Sequence, residues 1–165
     1  VHSSTNTKCK LEKISTMKVK HLFIYIILAV GVTMTTACEM DSNDNGALDG
    51  FWHLERIDTL ATGGVNNTAD DYLFWCVQSR LVEVGDRRDG YKPGILFSFR
   101  HEGSVLSFYN PLHSDRANGD RPVEDVDDLR PYGINEMEEH FDVETLNGSK
   151  MVLRSKVLRL VFKKF

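Results

Sequence analysis

From Gly50 to the C-terminus, apolar and polar residues alternate with a period of two, the pattern of strands that bury one face and expose the other. The first run, Phe51 to Asp58, places Trp52 and Leu54 on a common face. A second, Leu73 to Val84, aligns Leu73, Trp75, Val77 and Leu81; Ser79 interrupts it, which predicts a bulge or register change over Gln78 to Arg80. Ile95, Phe97 and Phe99 alternate with Leu96, Ser98 and Arg100, and the chain turns at Glu102-Gly103 into Ser104 to Tyr109, a hairpin. Met137 to Leu146 and Lys150 to Arg154 meet across Asn147-Gly148, a dipeptide in which both residues tolerate positive φ. Val157 to Phe165 closes the chain, with Leu158, Leu160 and Phe162 on one face and Arg159 and Lys163 on the other.

Seven strands are thus visible, and an eighth fits within either irregular stretch. One short helix is expected between them. Pro122 suits a first helical turn, Glu124, Asp125, Asp127 and Asp128 complement the positive end of a helix dipole, and Pro131-Tyr132-Gly133 ends it. An antiparallel sheet of this size must close or gain a second layer, or its edges stay open to pairing. Hairpins between successive strands favour an up-and-down order. The expected fold is therefore all-β, a small antiparallel barrel of seven or eight strands over residues 50–165.

Upstream the pattern is different. Met17-Lys18-Val19-Lys20-His21 is cationic, and Leu22 to Val32 is apolar apart from Tyr25 and Gly31. A charged start followed by an apolar core of about 7 to 15 residues marks an export signal, and a span this short does not cross a bilayer core of about 30 Å. The residues that follow, Thr35-Thr36-Ala37-Cys38, resemble the lipobox of bacterial lipoproteins, with Thr35 where an aliphatic residue is usual. That resemblance implies lipidation of Cys38 after cleavage. Residues 17–37 form the signal peptide, residues 1–16 a mis-extended N-terminus ahead of a start at Met17, and residues 38–49 an acidic tether.

Division at Cys38 changes the charge. The first 37 residues hold five of the 20 Lys and Arg and one of the 24 Asp and Glu, leaving 15 against 23, a formal −8. Such a balance offers no basic face for a nucleic acid. Of the three cysteines, Cys9 leaves with the leader and Cys38 takes the lipid, so Cys76 remains in an apolar run as a buried small hydrophobe.

Candidate chemistry is sparse. Asp41, Asn43, Asn45 and Gly46 match the opening of a calcium loop, but its twelfth position is Trp52 instead of a bidentate Glu, so the segment reads as solvated linker. The acids from Glu124 to Asp128 lack an accompanying His or Cys and read as a solvated helix start. His53, His101, His113 and His140 show no metal-ligand spacing, and the catalytic motifs of zinc hydrolases, serine hydrolases and phosphate-binding loops are missing. Glu55 and Glu144 are one pair of carboxylates that could meet across a barrel, without distinction from others. No enzyme activity, metal or cofactor is expected.

Two segments carry a family resemblance. Leu48-Asp49-Gly50-Phe51-Trp52-His53-Leu54, with its Gly and Trp at the opening of a strand, resembles the start of lipocalin-like domains, in which the Trp plugs one barrel end. Met151 to Ser155 followed by Leu158 to Phe165 is similar to the close of lipocalin-like lipoproteins of gut bacteria. The resemblance implies a binding cavity, with Trp52, Trp75, Phe97, Phe99, Phe108 and Phe141 as candidate lining. Two functions follow as expectations. One is a lipid-anchored envelope protein whose barrel binds a small apolar or amphipathic ligand; the other is a side-chain-filled barrel that presents its loops, chiefly Asn110 to Pro131, to a protein or glycan. The expected address is the outer membrane, where Glu39, Asp41 and Asp44 behind the lipidated cysteine resemble signals for the outer leaflet. Asp58-Thr59-Leu60 further resembles an O-glycosylation acceptor of gut anaerobes, with Thr59 as the modified residue.

Overall fold

A computed structural model describes residues 45–90 and 92–165. Cys38, the leader and the tether up to Asp44 lie outside the described residues.

Ten strands form one antiparallel sheet: β1 (Gly50–Thr59), β2 (Gly64–Asn67), β3 (Leu73–Gln78), β4 (Leu81–Asp86), β5 (Ile95–Glu102), β6 (Val105–His113), β7 (Arg121–Pro122), β8 (Glu139–Leu146), β9 (Lys150–Arg154) and β10 (Leu158–Lys164). Eight of them close on themselves in the order β1, β3, β4, β5, β6, β8, β9, β10, with β10 pairing back to β1; β2 extends β1 and β7 extends β6 as side hairpins. Closure removes the open edges that a flat sheet would expose. The up-and-down barrel is therefore present.

The eighth barrel strand comes from the run over Leu73 to Val84. Ser79 and Arg80 are a hairpin turn and not a bulge, so β3 and β4 pair from Leu73 with Asp86 to Gln78 with Leu81. Ser79 adopts φ +55°, a left-handed conformation that reverses the chain in two residues. The turn also moves Leu81 off the face shared by Leu73, Trp75 and Val77, and it is 48% exposed.

True bulges lie elsewhere. Between Leu96 and Ser98 the partner strand runs from Leu112 to Tyr109, so Asn110 and Pro111 oppose Phe97 alone. Asn110 takes φ +53°, and Pro111, which has no N–H to donate, fits where ladder pairing is broken. Further shifts fall between Leu54 and Arg56 on β1 and between Val143 and Thr145 on β8. Each bends a strand while keeping its apolar residues inward.

The expected helix is present as two successive 3₁₀ turns, Val126–Asp128 and Arg130–Tyr132. Pro122 does not start it; that residue pairs with Leu112 in β7. Asp125 caps the first turn, accepting from the Asp127 N–H at 2.9 Å. Gly133 ends the second at φ +82°, and a Cβ there would stand 2.7 Å from Leu160 Cδ2, so this connection lies directly on the barrel strand.

The two barrel ends are distinct. Gly50 of β1 and the turns β3–β4, β5–β6 and β8–β9 mark one, called the tether end because the chain enters there at Asn45. The β1–β2 turn, the β4–β5 connection and the long β6–β8 connection mark the other, the loop end.

Candidate functional site

Inside the barrel, alternate residues of each strand interdigitate around aromatic rings. Trp75 packs against Phe108, Phe141 and Phe162 at centroid distances of 5.1, 5.7 and 4.6 Å. Phe108 also meets Phe97 at 5.4 Å and Phe141 at 5.5 Å. Five rings therefore form one connected interior cluster. All six of the aromatic residues expected to face inward, Trp52, Trp75, Phe97, Phe99, Phe108 and Phe141, are buried, and all belong to the core. Phe162 joins them; its alternation with Leu160 placed it on the inner face, but only the closing β10–β1 contact shows that it touches Trp75. One interior polar atom stands out: the Trp75 Nε1–H is buried without a protein acceptor. An unmet buried donor costs about 1–3 kcal/mol unless a water or guest atom reaches it.

Trp52 closes the tether end. Its Nε1–H donates to the Leu48 carbonyl at 2.7 Å, and the Lys164 ammonium lies 5.0 Å from the ring centre while donating to the Ala47 carbonyl at 3.2 Å. The 3₁₀ turn Gly46–Leu48 that supplies both carbonyls is held by Asn45, whose amide donates to Asp49 Oδ1 at 2.7 Å and to the Ser79 carbonyl at 2.6 Å. Asn45 thus serves as a structural clamp. Gly50 is φ +135°, and a side chain there would collide with Lys164 at 2.5 Å, which ties the glycine to the plug.

At the loop end a cleft of about 550 Å³ is lined by His113, Arg121, Pro122, Glu124, Asp125 and Asp128. β6 and β7 bring His113 beside Arg121, and His113 Nε2 lies 3.3 Å from Asp128 Oδ2. Val123 and Leu129 of the same connection turn into the core beneath the cleft. Its wall is charged and exposed. No group of three His, Cys, Asp or Glu suited to a metal occurs among the described residues. Glu144 is engaged by Arg159 at 2.6 Å and is thereby fixed in an ion pair with a structural role.

Cys76 departs from its expected position. It alternates with Trp75 and Val77 and so lies half-buried on the outer face of β3, paired with Glu83 of β4. Burial pushes its thiol up from the ordinary value, and the Glu83 carboxylate adds to this against the pull of Arg87. The protonated thiol is a weak nucleophile. Thr59 ends β1 half-buried, paired with Leu158 and Gly64.

With the closed eight-strand order and its Trp plug established, comparison becomes informative. The model of the lipocalin-like domain matches residues 32–165. The chain belongs to the lipocalin-like domain family. A lipocalin-like protein from Bacteroides uniformis shares the fold at a TM-score of 0.55 and 21% identity, over 73% of this chain and 100% of that one. An uncharacterized protein from Bacteroides eggerthii aligns at a TM-score of 0.49 and 19% identity, over 71% of this chain and 98% of that one. No curated protein matches. For this lipocalin-like domain, the family supports a barrel of the binding type.

Proposed function

We propose that this lipocalin-like domain is a non-enzymatic binding protein of the bacterial envelope, anchored by lipid on Cys38, with recognition at the loop end. The observation that carries the reading is the contrast between a barrel interior joined by five rings and a cleft of about 550 Å³ on the long connection. A packed barrel serves as scaffold, and loops held by a rigid scaffold are where binding residues concentrate. Carboxylates, a guanidinium and an imidazole in one cleft suit a polar partner, a glycan or a polar protein segment. In this reading the outer membrane is the address, and Thr59 is a candidate glycosylation site.

The test is a glycan and peptide array probed with wild type and with Asp125→Ala/Asp128→Ala. Binding that the double substitution reduces at least about tenfold, a change of about 1.4 kcal/mol, supports the loop-end site. Binding that survives it places recognition elsewhere. Separately, Cys38→Ala should abolish labelling by a fatty-acid probe, and unchanged labelling would refute the anchor.

A second reading, a small molecule inside the barrel, is favoured by the Trp75 Nε1–H. That buried donor has no protein acceptor and would suit a guest carrying an oxygen atom.

A further inference from the structure

The outer face of the tether end carries a second set of aromatic rings, separate from the core. Phe51 stacks on Phe74 at 4.4 Å, His53 stacks on the same ring at 4.7 Å, and Phe165 meets both phenylalanines edge-on. These residues point outward because their neighbours Trp52 and Trp75 point inward. Phe165 is 87% exposed although its backbone N–H donates to the Phe51 carbonyl at 2.8 Å. Leu81, 48% exposed, adds a further apolar side chain at the same end. An opening of about 320 Å³, lined in part by Gly50, Phe51 and Cys76, adjoins the rings.

Lysines of the last two strands stand at the same end. Among the described residues, the turns and strand ends there carry Arg80, Arg100, Lys150, Lys163 and Lys164, alongside the acids Asp49, Glu83, Glu102, Asp142 and Glu144; Glu83 and Glu144 are paired with Arg87 and Arg159. Asp49 is nearly buried and bonded by Asn45. The β6–β8 connection at the opposite end instead bears Asp115, Asp120, Glu124, Asp125, Asp127 and Asp128. Lys150 and Lys163 thus stand at the same end of the barrel as the exposed Phe165 ring.

The chain length outside the barrel selects the occupant. Six residues separate Cys38 from Asn45, and seven extended Cα-to-Cα steps reach at most about 25 Å. We propose that the tether end is a membrane-facing surface, in which Phe165, Phe51 and Leu81 enter the interfacial layer and Lys150 and Lys163 meet anionic phospholipid headgroups. This inference rests on lipidation of Cys38. Aromatic and aliphatic side chains favour the headgroup boundary, and lysines near an anionic surface add to the attraction. Glu39, Asp41 and Asp44 of the linker offset part of the charge, so the rings and not charge alone set the footprint. The loop-end cleft would then face away from the bilayer.

The mature protein, extracted from envelopes and reconstituted into phosphatidylethanolamine–phosphatidylglycerol vesicles, provides the test. Intact mass first reports whether Cys38 carries lipid. Lysines are then acetylated and quantified by peptide mass spectrometry, with Lys92 and Lys156 at the loop end as references. Lys150 and Lys163 should react about fivefold more slowly in wild type than in Phe165→Asp, with the references unchanged. Equal reactivity in the two proteins overturns the docking surface even when Cys38 is lipidated. If Cys38 carries no lipid, the anchor fails, and the same ratio measured after mixing with vesicles still judges the surface. Protection that persists without vesicles identifies a second copy as the occupant and also overturns the proposal.

Discussion

At the tether end the barrel is closed by Trp52, which donates to Leu48 and lies beneath Lys164; at the loop end it is closed by Leu129 and Ile134 from the β6–β8 connection. The first closure is polar and local, since indole, carbonyl and ammonium satisfy one another within a few ångströms. The second is apolar on its inner side and acidic on its outer side, because Val123, Leu129 and Ile134 alternate with exposed Glu124, Asp127 and Asp128. In the proposed reading, closure and recognition are therefore separable at the loop end. Its charged residues can change without touching the core, whereas at the tether end the same residues that seal the barrel define its surface.

The largest effect should come from Trp52→Ala, which removes a fully buried indole and its hydrogen bond. A loss of about 3–5 kcal/mol in urea unfolding is expected. A loss below about 1 kcal/mol would show that the plug is dispensable. At the loop end, Gly133→Ala forces a side chain onto Leu160 at a positive φ and should cost about 1–3 kcal/mol by the same measurement. Lys164→Met keeps the length but removes the charge over the indole and the bond to Ala47; about 0.5–1 kcal/mol is expected. Asp125→Ala/Asp128→Ala should cost about 0.5–1 kcal/mol, because both side chains are exposed and what is lost is the Asp125 cap of the 3₁₀ turn. A large loss there would join recognition to closure and dissolve the contrast.

The smallest effect is a pH dependence. Glu139 begins β8 almost fully buried, accepting from the Asn135 and Glu136 N–H groups at 2.7 and 3.1 Å. Burial raises its carboxyl above the ordinary carboxylate value and outweighs those donors. A raised acid favours the protonated folded state, so its contribution is full below the unfolded value and is lost as pH rises through the folded one. Wild type should accordingly gain stability relative to Glu139→Gln as pH falls from about 7 to about 4. A difference independent of pH would contradict this.

Much of this architecture was legible in the chain. Alternation located the strands because one barrel face is buried, and Asn147-Gly148 announced its turn because few residues accept positive φ. Ser79 was misread for the same reason in reverse: a serine in the left-handed region carries no compositional mark, so one strand run concealed a hairpin. Pro122 suggested a helix start, since a local signal does not reveal that Leu112 would pair with it. The inward aromatic faces were readable. What escaped was contact across closure, such as Lys164 on Trp52 and Phe162 on Trp75, which depends on the pairing of the two chain-distant strands β1 and β10. The loop-end cleft was visible only as an acidic excursion.

Native mass spectrometry of the protein purified from its own host tests the central claim most directly. A packed scaffold with recognition at its loop end predicts the mass of the processed, lipidated chain with no stoichiometric small molecule. A bound guest that is released only on unfolding, and whose retention falls on Trp75→Phe but not on Asp125→Ala/Asp128→Ala, would place binding inside the barrel and contradict the account.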